Sequence, residues 1–205
     1  MKLTTITNVS VDGVTQGHRG PGLGALKGDS DGGFDRFGWA PPLLDDEVLA
    51  FISQAFQRAD AFLFGRRTYE IFAGSWGAGM DPGNPIAAAL NTRPKYVVSS
   101  TITEPAWVGT TVLSGDVAAA VGELRARPGG ELQVWGSSTL VRWLVENRLV
   151  DEIVMLTYPV IIGQGTRMFP ASGPDFALEL VDLRSTPTGL TLQTYRTAGR
   201  PQYEM

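Results

Sequence analysis

The 205-residue chain has no cysteine. Disulfides, thiolate nucleophiles and cysteine-ligated metal centres are therefore excluded. It has one histidine, His18, too few for a zinc site, which takes three or four ligands. A single imidazole in a glycine-rich segment is more often incidental than an acid or base, and no metal is expected. No apolar run approaches the roughly 18 residues of a membrane span. The opening MKLTTITNVSVDG alternates polar and apolar residues instead of forming a signal peptide's apolar block. A cytoplasmic protein with no membrane partner is the expectation. Positive charge is also short: 17 Lys and Arg against 21 Asp and Glu give a net charge of -4. General nucleic-acid binders are usually basic, so no nucleic-acid partner is expected.

What is present is the composition of a globular protein, 43% hydrophobic and 19% charged. The length suits one domain over residues 1–205. Glycine and proline are plentiful, 25 and 13. They cluster at 17–42, 74–85, 128–130 and 163–174, between periodic segments, and read as loops. The segment 15–42 is a long glycine-rich loop, and loops of that length are usually functional or disordered.

Between the loops, strand and helix patterns alternate. Strands are expected at Leu3–Val11, Ala61–Phe64, Lys95–Ser99, Val112–Leu113, Leu132–Trp135 and Glu152–Tyr158. Helices are expected at Leu43–Arg58, from Thr68, and at Ile86–Asn91, Asp116–Ala126 and Thr139–Asn147. Phe176–Arg184 and Gly189–Arg196 read as a closing pair of strands. The pattern predicts an α/β fold, a mostly parallel sheet with an antiparallel C-terminal edge and helices on both faces. Gly65, Ser99 and Gly136 each follow a strand. In such sheets ligands sit beyond the carboxyl ends of the strands, so three small or hydroxylated turns converge where a cofactor would lie.

The most informative turn is ADAFLFGRRTYEIF, residues 59–72. A buried strand stops at Gly65, and Arg66, Arg67 and Thr68 open a helix. Unpaired helix N–H groups, a hydroxyl and two guanidinium groups together suit a phosphate. The competing reading is an ordinary strand-to-helix turn with solvated arginines.

NVSVDG at 8–13, GRRTYE at 65–70, KYVVSST at 95–101, WGSSTLVRWL at 135–144 and DEIVMLTYPVIIGQGTRMF at 151–169 follow in one order. Together they resemble the dihydrofolate-reductase-like superfamily. The nearer branch is that of the reductase (C-terminal) domain of the bacterial riboflavin-biosynthesis deaminase/reductase and its stand-alone relatives. The resemblance implies NADPH as cofactor and a homodimer. Arg66 would contact the adenosine 2′-phosphate and Thr68 the diphosphate, with Gly65 and Arg67 in the same turn. Ser99, Ser100 and Thr101 would hold the adenosine end, unless these hydroxyls simply bond their own backbone. Gly136, Ser137, Ser138, Thr139 and Leu140 form a further cofactor turn, with a capped helix and no ligand as the alternative. Dihydrofolate reductases often carry a cis Gly-Gly bond there; this chain has Trp135-Gly136. Asn8, Val9 and Val14 match positions lining the nicotinamide, and the 15–42 loop lies in the place of the lid. Its alternative is a surface insertion. Pro159, Gly163 and Gly165 match a turn near substrate or a partner subunit.

The implied activity is hydride transfer to a small heterocyclic or sugar-derived molecule, most specifically reduction of 5-amino-6-(5-phosphoribosylamino)uracil. A dihydrofolate or pterin reductase is the first alternative. Against it, Leu49 stands where those enzymes carry a carboxylate, and Asp45, Asp46 and Glu47 lie about one turn, roughly 5 Å, earlier. Asp46, water or the substrate would supply the proton. A nucleotide-binding protein without catalysis is the second alternative.

Overall fold

A computed structural model describes residues 1–17, 34–77, 83–169 and 171–204. Eight strands form one sheet in the order β4-β3-β2-β5-β1-β6-β8-β7. They are β1 (Lys2–Ser10), β2 (Ala59–Gly65), β3 (Lys95–Val98), β4 (Thr110–Leu113), β5 (Glu131–Trp135), β6 (Glu152–Tyr158), β7 (Leu178–Ser185) and β8 (Thr191–Thr197). Strands β1 to β6 are mutually parallel, and β8 runs antiparallel to both β6 and β7. This is the α/β sheet with an antiparallel edge that the sequence pattern predicts.

The helices are α1 (Asp46–Arg58), α2 (Arg66–Trp76), α3 (Pro85–Thr92), α4 (Val117–Ala126) and α5 (Ser138–Glu146). Alternation along the central strands divides the core. Phe62 and Phe64 of β2 pack with residues of α1, α2 and α3 on one face, and Ala61 and Leu63 with α4 and α5 on the other. On the first face Phe56 stacks on Trp135 with ring centroids 4.1 Å apart. Each buried large side chain of this kind contributes about 1.5–3 kcal/mol. Buried Gln133 is satisfied there, donating to Ala55 O at 2.8 Å and accepting from Trp135 Nε1 at 2.9 Å.

Two features differ from the sequence reading. α1 starts at Asp46 rather than Leu43, because Pro41–Leu43 forms a separate turn of 3-10 helix and Asp45 caps the α-helix. α2 starts at Arg66 rather than Thr68, directly on the last residue of β2. His18 and most of the expected lid, residues 18–33, lie outside the described residues.

Candidate functional site

The chain leaves the C-terminal ends of β1, β2, β3, β4 and β5 at one edge of the sheet, and three adjoining hollows lie there. The largest, about 590 Å³, is lined by Gly65, Arg66, Arg67, Ser137, Thr139 and Leu140, among others. A second shares Arg66 with it and adds Ser99, Ser100 and Thr101. A third, about 100 Å³, shares Ser137 and adds Asn8, Thr68, Gly136 and Ser138. The three turns expected to converge therefore do so.

Their electrostatics are set by two helix ends. α1, α3 and α4 each begin with an acid or amide whose side chain accepts from the first turn. Asp45 accepts from Val48 N, Asn84 from Ile86 N and Ala87 N, and Asp116 from Ala119 N. α2 and α5 have no such bond: their N-cap residues, Gly65 and Ser137, make no side-chain cap. Both of these residues line the largest hollow. Two sets of first-turn N–H groups, with the positive ends of two helix dipoles, are thus uncapped where an anion could sit. α5 lacks the side-chain cap that the ligand-free alternative supposed.

The close approach of these two ends depends on backbone. A Cβ on Gly65 would overlap Ser137 Oγ and stand 3.6 Å from Leu140 Cβ. Gly136 has φ +64° and Ser137 φ +60°. The left-handed region suits glycine but costs a serine about 1 kcal/mol or more. No peptide bond among the described residues is cis, so the Trp135-Gly136 bond is trans and the turn is made by two left-handed residues instead.

Arg66 spans the outer hollow. Its Nε donates to Glu70 Oε1 at 2.7 Å and its Nη1 to Thr101 Oγ1 at 2.9 Å. Ser99 does what its bland reading foresaw: its hydroxyl accepts from Thr101 N and Ile102 N, both at 3.1 Å, and closes its own turn. That turn is what presents Thr101 to Arg66.

The inner hollow is lined by hydroxyl-bearing residues and aromatic walls. Thr15 Oγ1 bonds Ser138 Oγ, and Thr68, Ile71, Phe72 and Trp135 surround them. Thr7 also lines it; its side chain is almost wholly buried, and its hydroxyl has no hydrogen-bond partner. Such a group is costly unless something supplies a partner. Tyr158 donates to Asn8 Oδ1 at 2.9 Å and so orients the amide. Burial pushes the Tyr158 phenol well above its ordinary range. The indole of Trp39 meets that ring edge-on and donates to Gln16 O at 2.9 Å.

Other expected residues are placed elsewhere. Val9 is in the core against α5, and Val14 is buried with Phe34 and Ile162. Pro159 is exposed beyond β6. Gly163 and Gly165 have φ +78° and +105°, and a Cβ on Gly165 would press Phe34 at 2.7 Å. This turn docks onto the end of β1: Asp12 accepts from Ile162 N at 3.0 Å and Gly163 N at 2.8 Å. Burial alone would raise the Asp12 carboxyl. Hydrogen bonds from Ser10, Ile162 and Gly163, with the charge of Arg167, outweigh it and hold the pKa down to about 2. Asp46 is exposed in the first turn of α1 and lines none of the three hollows.

Gly115, Asp116 and Val117 line the largest hollow without having been singled out for it. They follow β4, so the rule that applied to Gly65, Ser99 and Gly136, a turn after a parallel strand, would have found them.

Residues 1–192 match the family model of the RibD C-terminal domain. A curated relative, the uncharacterized protein YyaP of Bacillus subtilis (strain 168), is 23% identical over 142 residues, 68% of this chain and 75% of that protein. A putative riboflavin biosynthesis protein from Shewanella sp. PV-4 superposes with a TM-score of 0.66 at 20% identity, covering 97% of this chain and 99% of its own. A pyrimidine reductase-like protein from Corynebacterium diphtheriae gives 0.63 at 15% identity, covering 96% and 92%. At these identities the solved structures bear on the fold alone.

Proposed function

From its place in the RibD C-terminal domain family, to which the chain belongs, we propose that it is a reductase drawing its hydride from NADPH. The observation that carries this is the pair of uncapped helix ends, α2 and α5, opening on one hollow beside Arg66 and Arg67. A dinucleotide diphosphate fits two such ends. Arg66 and the Ser99–Thr101 turn suit the phosphorylated adenosine end. The inner hollow, with Asn8, Thr7 and Thr15, suits the nicotinamide. When bound, NADPH supplies the hydride. The chain's own residues bind it, orient it through Asn8 and Tyr158, and wall it with Phe72 and Trp135.

The substrate we propose is a small heterocyclic or sugar-derived molecule, with the ribosylaminopyrimidine phosphate as the first to assay. A pterin is less favoured, since Leu49 is an apolar, 44% exposed residue on α1. We also propose a homodimer through β7. Leu178, Leu180, Val181 and Leu183 are exposed there, and a bulge at Val181 turns Leu180 and Leu183 to the same face. A two-fold axis between Val181 and Asp182 would set Leu180 against Leu183 and Glu179 against Arg184. Pairing of this kind covers an apolar edge strand. Light scattering of Leu180→Lys/Leu183→Lys should report a monomer where the wild type is a dimer; equal masses would remove this interface.

Titration with NADPH and NADH, followed by nicotinamide fluorescence, tests the cofactor. Micromolar NADPH binding is expected, and Arg66→Ala should weaken it about ten-fold with less effect on NADH. Absence of binding by either dinucleotide would overturn the reductase reading. NADPH oxidation on adding the ribosylaminopyrimidine phosphate then tests the substrate, and no oxidation would remove that choice alone.

A further inference from the structure

Arg66 is not waiting with an open fork. Its Nε is bonded to Glu70 Oε1 at 2.7 Å, one helical turn along α2, and its Nη1 to Thr101 Oγ1 at 2.9 Å. The side of a guanidinium that offers Nε with one Nη is one of those that can pair bidentately with an oxyanion. In this chain a carboxylate already holds the Nε of that side. We propose that Glu70 is a specificity-determining residue: it competes with the 2′-phosphate for Arg66 and holds the preference for NADPH over NADH to a small factor. The proposal rests on the cofactor reading above.

Both partners are about half exposed, 53% for Arg66 and 44% for Glu70. An exposed i,i+4 pair of this type is weak, so an incoming phosphate displaces the carboxylate from the guanidinium. The carboxylate nevertheless stays tethered within a few ångströms of the phosphate, and two like charges repel there through a partly screened medium. With a plain ribose the balance reverses. A 2′-hydroxyl carries no charge and has a proton to donate, so Glu70 is neutral or helpful to NADH. Asp116 also lines the largest hollow, but its carboxylate is committed to Ala119 N at 3.0 Å. Glu70 is the acid bound to the arginine itself.

The test is Glu70→Gln, which keeps size and helix propensity and removes the charge. NADPH and NADH are titrated into wild type and variant at low and at high salt. The affinity ratio, NADPH over NADH, should rise about five-fold in the variant at low salt, through tighter NADPH, and the gain should shrink as salt screens it. In an Arg66→Ala background the same change should move the ratio less, because the competition for the guanidinium is gone and only the direct repulsion remains. A purely structural role for Glu70 would move both dinucleotides together and show no salt dependence. A ratio unchanged within about two-fold would overturn the proposal. So would weaker NADPH binding in the variant, which would mean that Glu70 presents Arg66 instead of competing for it. Failure of wild type to bind either dinucleotide is a different result: it would overturn the cofactor reading and this proposal with it.

Discussion

Among the described residues, three α-helices begin with a side-chain cap and two do not. α1, α3 and α4 carry Asp45, Asn84 and Asp116 as N-caps. α2 and α5 carry Gly65 and an uncapping Ser137. The uncapped pair meets over the largest hollow, where the capped start of α4, at Asp116 and Val117, also lies. A cap stabilises a helix by about 1 kcal/mol, so omitting two in one place leaves the fold less stable there. The same omission leaves N–H groups available to a ligand anion. On this reading, the proposed binding site would be gained at the expense of stability on the same sheet edge.

The contrast breaks most sharply at Ser137. Ser137→Asp should leave α5 uncapped, since φ +60° is not the extended N-cap backbone, and should place a negative charge against any bound diphosphate. Dinucleotide affinity should fall by more than about thirty-fold, roughly 2 kcal/mol, in a variant that still folds. Unchanged affinity in a folded variant would separate α5 from the binding site.

Asp12 comes next, since it ties the glycine turn at 163–165 to β1 rather than serving the hollows. Its folded pKa of about 2 lies below the ordinary 3.8. Its contribution is therefore fully present above about pH 4 and is lost as pH falls through about 2. Asp12→Asn should cost about 1–2 kcal/mol at neutral pH, allowing for screening, and should flatten the stability profile between those limits. Acid unfolding curves that keep the wild-type slope would contradict this.

A capped end supplies the matching control. Asn84→Ala should lower stability by about 1 kcal/mol and leave dinucleotide affinity within about two-fold. A large loss of affinity would mean that any weakened helix disturbs binding. The smallest effect is expected at Asp46, exposed and away from the three hollows. Asp46→Asn should leave turnover within about two-fold, and a greater fall would restore it as the proton source.

The same contrast explains what could be read from the chain. Helices with Asp or Asn caps announce themselves by residue type. Asp45 and Asp116 lay at expected helix starts, although Pro41–Leu43 pulled the first boundary too early. An uncapped start has no such signal. Gly65 reads as a turn whether or not it begins a helix, so the sequence pattern puts the start of α2 at Thr68, two residues late. Short apolar or alternating polar and apolar runs bounded by turn residues make β1, β2, β5, β6 and the closing pair legible, and with them the convergence of Gly65, Ser99 and Gly136. Contacts between distant segments were not legible. No local pattern tells that Gly65 must clear Ser137, that Asp12 holds the 163–165 turn, or that Glu70 and Thr101 share Arg66. The family resemblance implies Val9 and Val14 at the nicotinamide; both are buried and line none of the three hollows, where Asn8 and Thr15 lie.

The most direct measurement is an amide proton–nitrogen correlation spectrum recorded as NADPH is added. The largest shifts should fall on the first-turn amides of α2 and α5, at Arg66, Arg67, Thr68, Ser138 and Thr139. Those of the capped ends, at Glu47, Val48, Ile86 and Ala87, should barely move. Shifts spread equally over capped and uncapped ends, or concentrated away from both uncapped ends, would contradict the assignment of this sheet edge as the dinucleotide site.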